Sequence, residues 1–231
     1  PLEGLMNKDY LLSRMKNFDS LKASMSGSVP AGNPNFYESL ETTHYSVVDA
    51  EGNAVSATTT LNGYYGSGIV VEGAGFFLNN EMDDFSSKPG FPNLYGLTGG
   101  EANSIVPGKR MLSSMTPTIV EKEGKLFMTA GSPGGSTIPT SVFQVITNLI
   151  DFGMDLRTAV DTTRFHHQWL PDYINCEANS LDSLTIASLA GMGHKFDPVK
   201  SLGRVNAILV GENGTKTGVG DKRGNNSACG Y

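Results

Sequence analysis

Cysteine is nearly absent from the 231 residues, and the two present, Cys176 and Cys229, are too few for a disulfide framework. Neither stands in a CxxC or Cys/His spacing, so zinc is not suggested and both read as unpaired thiols. Basic residues are scarce as well: 17 Lys and Arg against 23 Asp and Glu give a net charge of -6. With no basic stripe to release counterions from phosphates, nucleic acid is not an expected partner. No apolar run approaches the roughly 20 residues that span a bilayer, and the start lacks the charged, apolar, small-residue order of a secretion signal. The chain opens on Pro1 rather than methionine, so its true N-terminus is expected elsewhere, in a precursor or a longer chain.

Hydrophobic residues make up 39% of the chain, enough for one sizeable core, and a single domain is the expectation. NKDYLLSRMKNF places Leu11, Met15 and Phe18 on one helical stripe behind a possible Asn7 cap. The Ser/Gly/Pro/Asn-rich stretch up to Glu41 then reads as a linker. From Thr42 onward β-branched and aromatic residues dominate. YSVVDA, the turn signal EGN and AVSATTTL predict a hairpin, and GSGIVVEG and GFFLNN predict further strands. KPGFPNLYGLTGGEAN reads as either a disordered stretch or a functional loop over a site. A second hairpin should turn at Glu123 and Gly124, and a third at Asn213 and Gly214. Helices are predicted in TIPTSVFQVITNLIDFG, with Val142, Val145, Ile146 and Leu149 spaced for burial, in DLRTAVDTTRF and in SLDSLTIASLAGMG. Strand runs separated by paired helices give an α+β layered domain.

Several groups of residues carry chemical potential. In the first hairpin, side chains alternate faces, so turn length decides which threonines share a side. A three-residue EGN loop pairs Ala50 with Ala54 and puts Thr42, Thr60 and Asn62 on one face; a two-residue loop separates them. Both lengths are open on sequence alone. In NNEMDDF, Glu81, Asp83 and Asp84 suit a cation or a substrate ammonium, although the spacing lacks the glycine and closing glutamate of a calcium loop. In SPGGS, Gly134 and Gly135 precede a helix, where free N–H groups suit an anion or a developing oxyanion. No GK[ST] follows, which argues against a nucleotide P-loop. Ser113 and Ser114 can donate to a carboxylate or simply form a turn. His166 and His167 are adjacent, point to different sides and read as structural. Asn213 and Asn225 begin triplets that fit the glycosylation pattern, which arises often by chance.

Taken in order, TTHYSVVD, TLN, NNEMDDFS, KPGFPNLYGL, LSSMTPTIV, GSPGGS and RFHHQWLPD closely resemble the γ-glutamyltransferases, also called γ-glutamyltranspeptidases or glutathione hydrolases. The resemblance runs from Thr42 to Gly230-Tyr231, the family's small catalytic subunit, and residues 1–41 resemble the end of the large subunit with its linker. It implies an N-terminal nucleophile hydrolase, a four-layer αββα sandwich, made as a precursor that cuts itself between Glu41 and Thr42. Thr42 would be the nucleophile, its freed α-amine the base, and Thr60 the hydrogen-bond partner that poises its hydroxyl. Asn62, Ser113 and Ser114 would hold the glutamyl α-carboxylate, and Glu81 and Asp84 the α-ammonium. Gly134 and Gly135 would form the oxyanion hole, and Tyr95 would close a lid spanning Pro89 to Gly100.

The implied substrates are glutathione and other γ-glutamyl compounds, with water, amino acids or dipeptides as acceptors, and no metal or organic cofactor is expected. The implied partner is the large subunit, which contributes an arginine that this chain lacks. A periplasmic or secreted location is the family habit. Met111 departs from the proline that many members carry before LSSM. The alternatives are a cephalosporin or glutaryl acylase of the same superfamily, against which the long lid argues, and a non-catalytic scaffold, against which the retained Thr42, Thr60 and Asp84 argue.

Overall fold

The computed structural model describes residues 8–29, 41–93 and 95–230. The first helix, α1 (Lys8–Arg14), lies where the apolar stripe predicts it, with the expected Asn7 cap outside the described residues. Its Leu11 and the following Met15 and Phe18 are exposed.

Among the described residues, nine strands form three sheets. β1 (Glu41–Val48) and β2 (Ala54–Asn62) pair antiparallel as a two-stranded sheet. β3 (Thr118–Lys122), β4 (Lys125–Gly131), β8 (Asn206–Val210) and β9 (Lys216–Val219) form a four-stranded sheet in the order β3-β4-β8-β9. β5 (Phe165–His166), β6 (Ile174–Glu177) and β7 (Phe196–Val199) form the third, with β6 and β7 parallel. This small sheet has no counterpart in the sequence reading, because its strands are two to four residues long and show no alternation.

The other hairpins sit where expected. Glu123 and Gly124 turn β3 into β4 with φ of 54° and 73°, the left-handed pair that suits the strands' twist. β8 and β9 turn through Gly211–Thr215, closed by Gly211 N–H donating to Thr215 O. By contrast, the two strands expected over 66–73 and 75–80 reduce to one bridge, Val70 with Phe77, around a tight turn at Val71–Gly75. Four glycines with positive φ in this stretch, Gly66, Gly68, Gly73 and Gly75, explain why no ladder extends.

The core lies between the four-stranded sheet and two helices, α2 (Ile138–Ile150) and α3 (Leu156–Asp161). Ile138, Val142, Val145 and Leu149 of α2 and Leu156, Ala159 and Val160 of α3 pack on Met128, Ala130, Ala207 and Val219. Each of the larger side chains contributes about 1.5–3 kcal/mol by leaving water. Asp155 starts α3 by accepting from Thr158 N–H, and Asp182 starts α4 (Ser183–Gly191) by accepting from Leu184 and Thr185. The opposite face of the sheet, carrying Thr129, Gly131 and Asn206, receives the β1–β2 hairpin. Helices, sheet and hairpin thus supply three layers of the expected αββα sandwich from the described residues. The hairpin's outer face, with Tyr45, Val47 and Val55, is exposed.

Candidate active site

The hairpin that carries Thr42 closes one step earlier than the sequence suggests. Asp49 and Asn53 end the ladder: Asp49 N–H donates to Asn53 O at 3.0 Å and Asn53 N–H to Asp49 Oδ1 at 2.8 Å. The loop is therefore Ala50-Glu51-Gly52, not EGN, and Val48 rather than Ala50 faces Ala54. The Asp49 side chain captures Asn53, a local turn that alternation of apolar residues does not reveal. The loop is still odd in length, so the parity argument holds. His44, Ser46, Ser56 and Thr58 line the inner face, and Thr43, Tyr45, Val47, Val55 and Thr59 the outer one.

At the far end the register shifts. Pairing runs regularly from Val48↔Ala54 to Thr43↔Thr59, then resumes as Glu41↔Asn62, so Thr42 alone stands opposite both Thr60 and Leu61. This is a bulge, which locally breaks the ladder and redirects side chains. Thr60 stays half-buried, Leu61 turns to solvent, and Asn62 adopts φ 72° and becomes fully buried. Asparagine is among the few non-glycine residues that accept that backbone.

Thr42 Oγ1 is buried and takes no hydrogen bond from the described residues. The bond expected from Thr60 is not made: Thr60 Oγ1 instead accepts from Asn62 N–H at 2.8 Å. Thr42 Oγ1 shares its lack of a partner among the described residues with other buried hydroxyls, among them Thr129 and Ser141.

The remaining predicted residues gather through two asparagine brackets. Asn62 Nδ2 donates to Asn80 O at 3.2 Å, Gly63 N–H donates to Asn80 Oδ1 at 2.8 Å, and Tyr95 OH donates to Asn62 O at 3.1 Å. These bonds set the strand end beside both the Glu81–Asp84 turn and the expected lid. The turn is a short 3₁₀ helix with Asp84 only 3% exposed. Loss of water raises the Glu81 carboxyl above its ordinary range, opposed by a hydrogen bond with Asp84. Asn103, 5% exposed, forms the second bracket: its Nδ2 donates to Asp84 O at 2.6 Å, and its Oδ1 accepts from Leu112 N–H at 3.2 Å. Leu112 leads into Ser113, which is exposed and accepts from Met115 N–H, and Ser114, which is buried. Asn80 and Asn103 escaped the sequence reading, since their roles depend on which distant loops meet.

Gly134 and Gly135 take φ of 138° and 58°, and Gly134 O accepts from both the N–H and Oγ1 of Thr137 just before α2 begins. A side chain on Gly134 would meet Thr137 and Gly203, so the turn is closed to any larger residue. His166 is structural, as expected, with Thr140 and Gln168 on its two ring nitrogens. Cys176 and Cys229 are free thiols.

A helix-backed sheet carrying an inward threonine hairpin defines the class of N-terminal nucleophile hydrolases. A cephalosporin acylase from Bacillus halodurans shares that fold with a TM-score of 0.81 at 24% identity, covering all of this chain and 40% of that one. Within the class, the chain belongs to the gamma-glutamyltranspeptidase family, whose model matches residues 1–231. It is 48% identical over 224 residues to the glutathione hydrolase proenzyme of Escherichia coli, covering 96% of this chain and 38% of that protein's length. A gamma-glutamyltranspeptidase mutant from Helicobacter pylori is 52% identical with a TM-score of 0.76, covering 79% of this chain and all of that one.

Proposed function

We propose that this chain carries the catalytic part of a γ-glutamyl hydrolase and transferase that matures by cutting its own peptide between Glu41 and Thr42. The observation that carries the reading is the Thr42 hydroxyl, buried and uncommitted at a bulge, directly after that peptide and beside the Asn62, Glu81, Asp84, Ser113 and Ser114 group. In maturation, Thr42 Oγ adds to the Glu41 carbonyl carbon, the C–N bond breaks, and the proton leaves with the new α-amine. Water then hydrolyses the ester, leaving a carboxylate on Glu41. In turnover, the α-amine takes the Oγ proton as Oγ attacks the γ-carbonyl of the donor. In this reading the N–H groups of the Gly134–Gly135 turn donate to the oxyanion. Collapse returns the proton to the leaving amine, and water or an acceptor amine repeats the sequence on the γ-glutamyl ester.

Charge complementarity supports the glutamyl assignment. Carboxylates on the Glu81–Asp84 turn suit an ammonium, and the hydroxyls of Ser113 and Ser114 with the Asn62 amide suit a carboxylate. The partner in this reading is the remainder of the precursor, whose curated relatives are more than twice as long, and it would cover the exposed outer face at Tyr45, Val47 and Val55.

Intact-mass analysis of the full-length precursor tests the reading. Wild type should give two chains split between Glu41 and Thr42, whereas Thr42→Ala should stay whole. Processed protein should release glutamate from glutathione and transfer the group to glycylglycine. A cut elsewhere, or equal processing of Thr42→Ala, would overturn the assignment.

A further inference from the structure

We infer that the imidazole of His44, seated against Gly131, is a spacer that fixes the distance between the nucleophile strand and the oxyanion turn, which makes His44 a positioning residue for the reaction proposed above. The inference rests on that reading of Thr42 and adds a group to which it gives no role.

His44 shares the inner face with Thr42, two residues along the same strand, and is 4% exposed. Both ring nitrogens are engaged by hydroxyls of the hairpin's own inner face, Nδ1 with Thr58 Oγ1 at 2.8 Å and Nε2 with Ser46 Oγ at 3.0 Å. A hydroxyl can donate or accept, so either neutral tautomer is satisfied and the ring is pinned against rotation. Burial lowers its pKa to about 4, so at neutral pH it is an uncharged block rather than a base. With both nitrogens occupied, it has no lone pair aimed at the Thr42 hydroxyl.

What the ring presses on is specific. A Cβ built on Gly131 would overlap Cγ, Nδ1 and Cε1 of His44, so the contact exists only because residue 131 has no side chain. Two further ties converge on the same place. Asn206, the ladder partner of Gly131, donates through Nδ2 to His44 O at 3.2 Å, and Ser56 Oγ donates to Ala130 O at 3.1 Å. Gly131 is the last residue of β4, and Ser132-Pro133 alone separate it from Gly134 and Gly135. The chain of contacts thus runs from Thr42 along one strand to His44, across to Gly131, and along the next strand to the oxyanion turn. Side chains here are in van der Waals contact, and protein interiors transmit such displacements because they are close-packed.

The test uses the full-length precursor and a γ-glutamyl anilide. Gly131→Ala should push the hairpin away, slowing self-cleavage and lowering kcat by about 10- to 100-fold, the scale of a 1 Å misplacement. KM should change less than kcat, because Glu81, Asp84, Ser113 and Ser114 lie on other loops and Asn62, at the far end of the hairpin, is tied to Asn80. His44→Ala, which removes the spacer without a clash, should show the same split. The double variant should recover part of what Gly131→Ala loses, because the added methyl then occupies space left by the ring. Wild-type kcat in His44→Ala, a change confined to KM, or single losses that simply add in the double variant would each overturn the inference. If Gly131→Ala does not fold, the kcat-against-KM split of His44→Ala decides alone. A wild-type protein that neither cuts itself nor releases glutamate defeats the underlying functional reading instead, and does so before any variant is made.

Discussion

Thr42 and His44 are neighbours on one face with opposite fates: one hydroxyl is left without a partner, and one ring has every polar atom engaged. An unsatisfied buried hydroxyl costs about 1–3 kcal/mol, so Thr42→Val, which keeps the shape, should leave thermal stability of the full-length protein equal or higher while abolishing cleavage. A fall in Tm of several degrees would show that the hydroxyl does hold structure. His44 gives the converse pH signature. Above pH 6.5 its ring is neutral folded or unfolded; between 6.5 and about 4 the unfolded chain binds a proton that the folded one does not, so stability falls with pH across that window. As pH is lowered from 7 to 4, urea midpoints should therefore fall less steeply for His44→Gln than for wild type. Strand alternation made the shared face of Thr42 and His44 legible, whereas the two open loop lengths left the side of Thr60 and Asn62 undecided. The Thr60 to Asn62 hydrogen bond was not legible, because a bulge is a departure from that very alternation.

Among the elements, those with a local cause were readable. The Glu123-Gly124 turn, the Asp155 and Asp182 caps and the apolar stripe of α2 are each settled within a few residues of sequence. The β5–β7 sheet was missed because its parallel pair joins segments about twenty residues apart, and nothing local marks them. The first hairpin's loop was misplaced by the side-chain capture at Asp49. Asn103 belongs to the same class of hidden features: it clamps the Asp84 turn to the Ser113-Ser114 segment through one buried and one part-buried bond. Asn103→Ala should cost about 1–3 kcal/mol by leaving Asp84 O and Leu112 N–H unpaired. It should also raise KM for a γ-glutamyl donor more than it lowers kcat, since the proposed ammonium and carboxylate holders would move relative to each other. Steady-state kinetics beside a urea titration would check both, and a kcat loss at constant KM would contradict the clamp.

For the whole molecule, one buried ionic cluster joins the C-terminal segment to the helical layer. Arg164, 2% exposed, contacts Asp221 Oδ2 at 2.8 Å, and Arg223 reaches Glu177 Oε2 at 2.6 Å and Asp221 Oδ1 at 3.1 Å. Their remaining donors and acceptors are spent on backbone: Arg164 on Leu202 O and Val160 O, and Glu177 on the N–H groups of Arg164 and Leu202. Burial acts to raise the Glu177 carboxyl, but the hydrogen bonds from Arg223 and those two N–H groups outweigh it and hold the group below its ordinary value. Its contribution to stability is therefore present above the unfolded value of 4.5 and lost as pH falls through the lower folded one. Removing one partner of such a pair costs about 3–5 kcal/mol, because a charge is left buried. Asp221→Asn should destabilise the fold by that margin and lower Tm with it, and an unchanged Tm would mean that water replaces the carboxylate.

The bulge at Thr42 also decides what self-cleavage does to the architecture. Every regular pair of the hairpin lies downstream of the peptide between Glu41 and Thr42, and only the Glu41↔Asn62 pair lies across it. Severing that peptide changes the connectivity of the chain while leaving the ladder's register intact. In the proposed maturation Thr42 would become a chain terminus without any downstream pair having to shift, so the scaffold that makes the cut would already be the scaffold that uses its product.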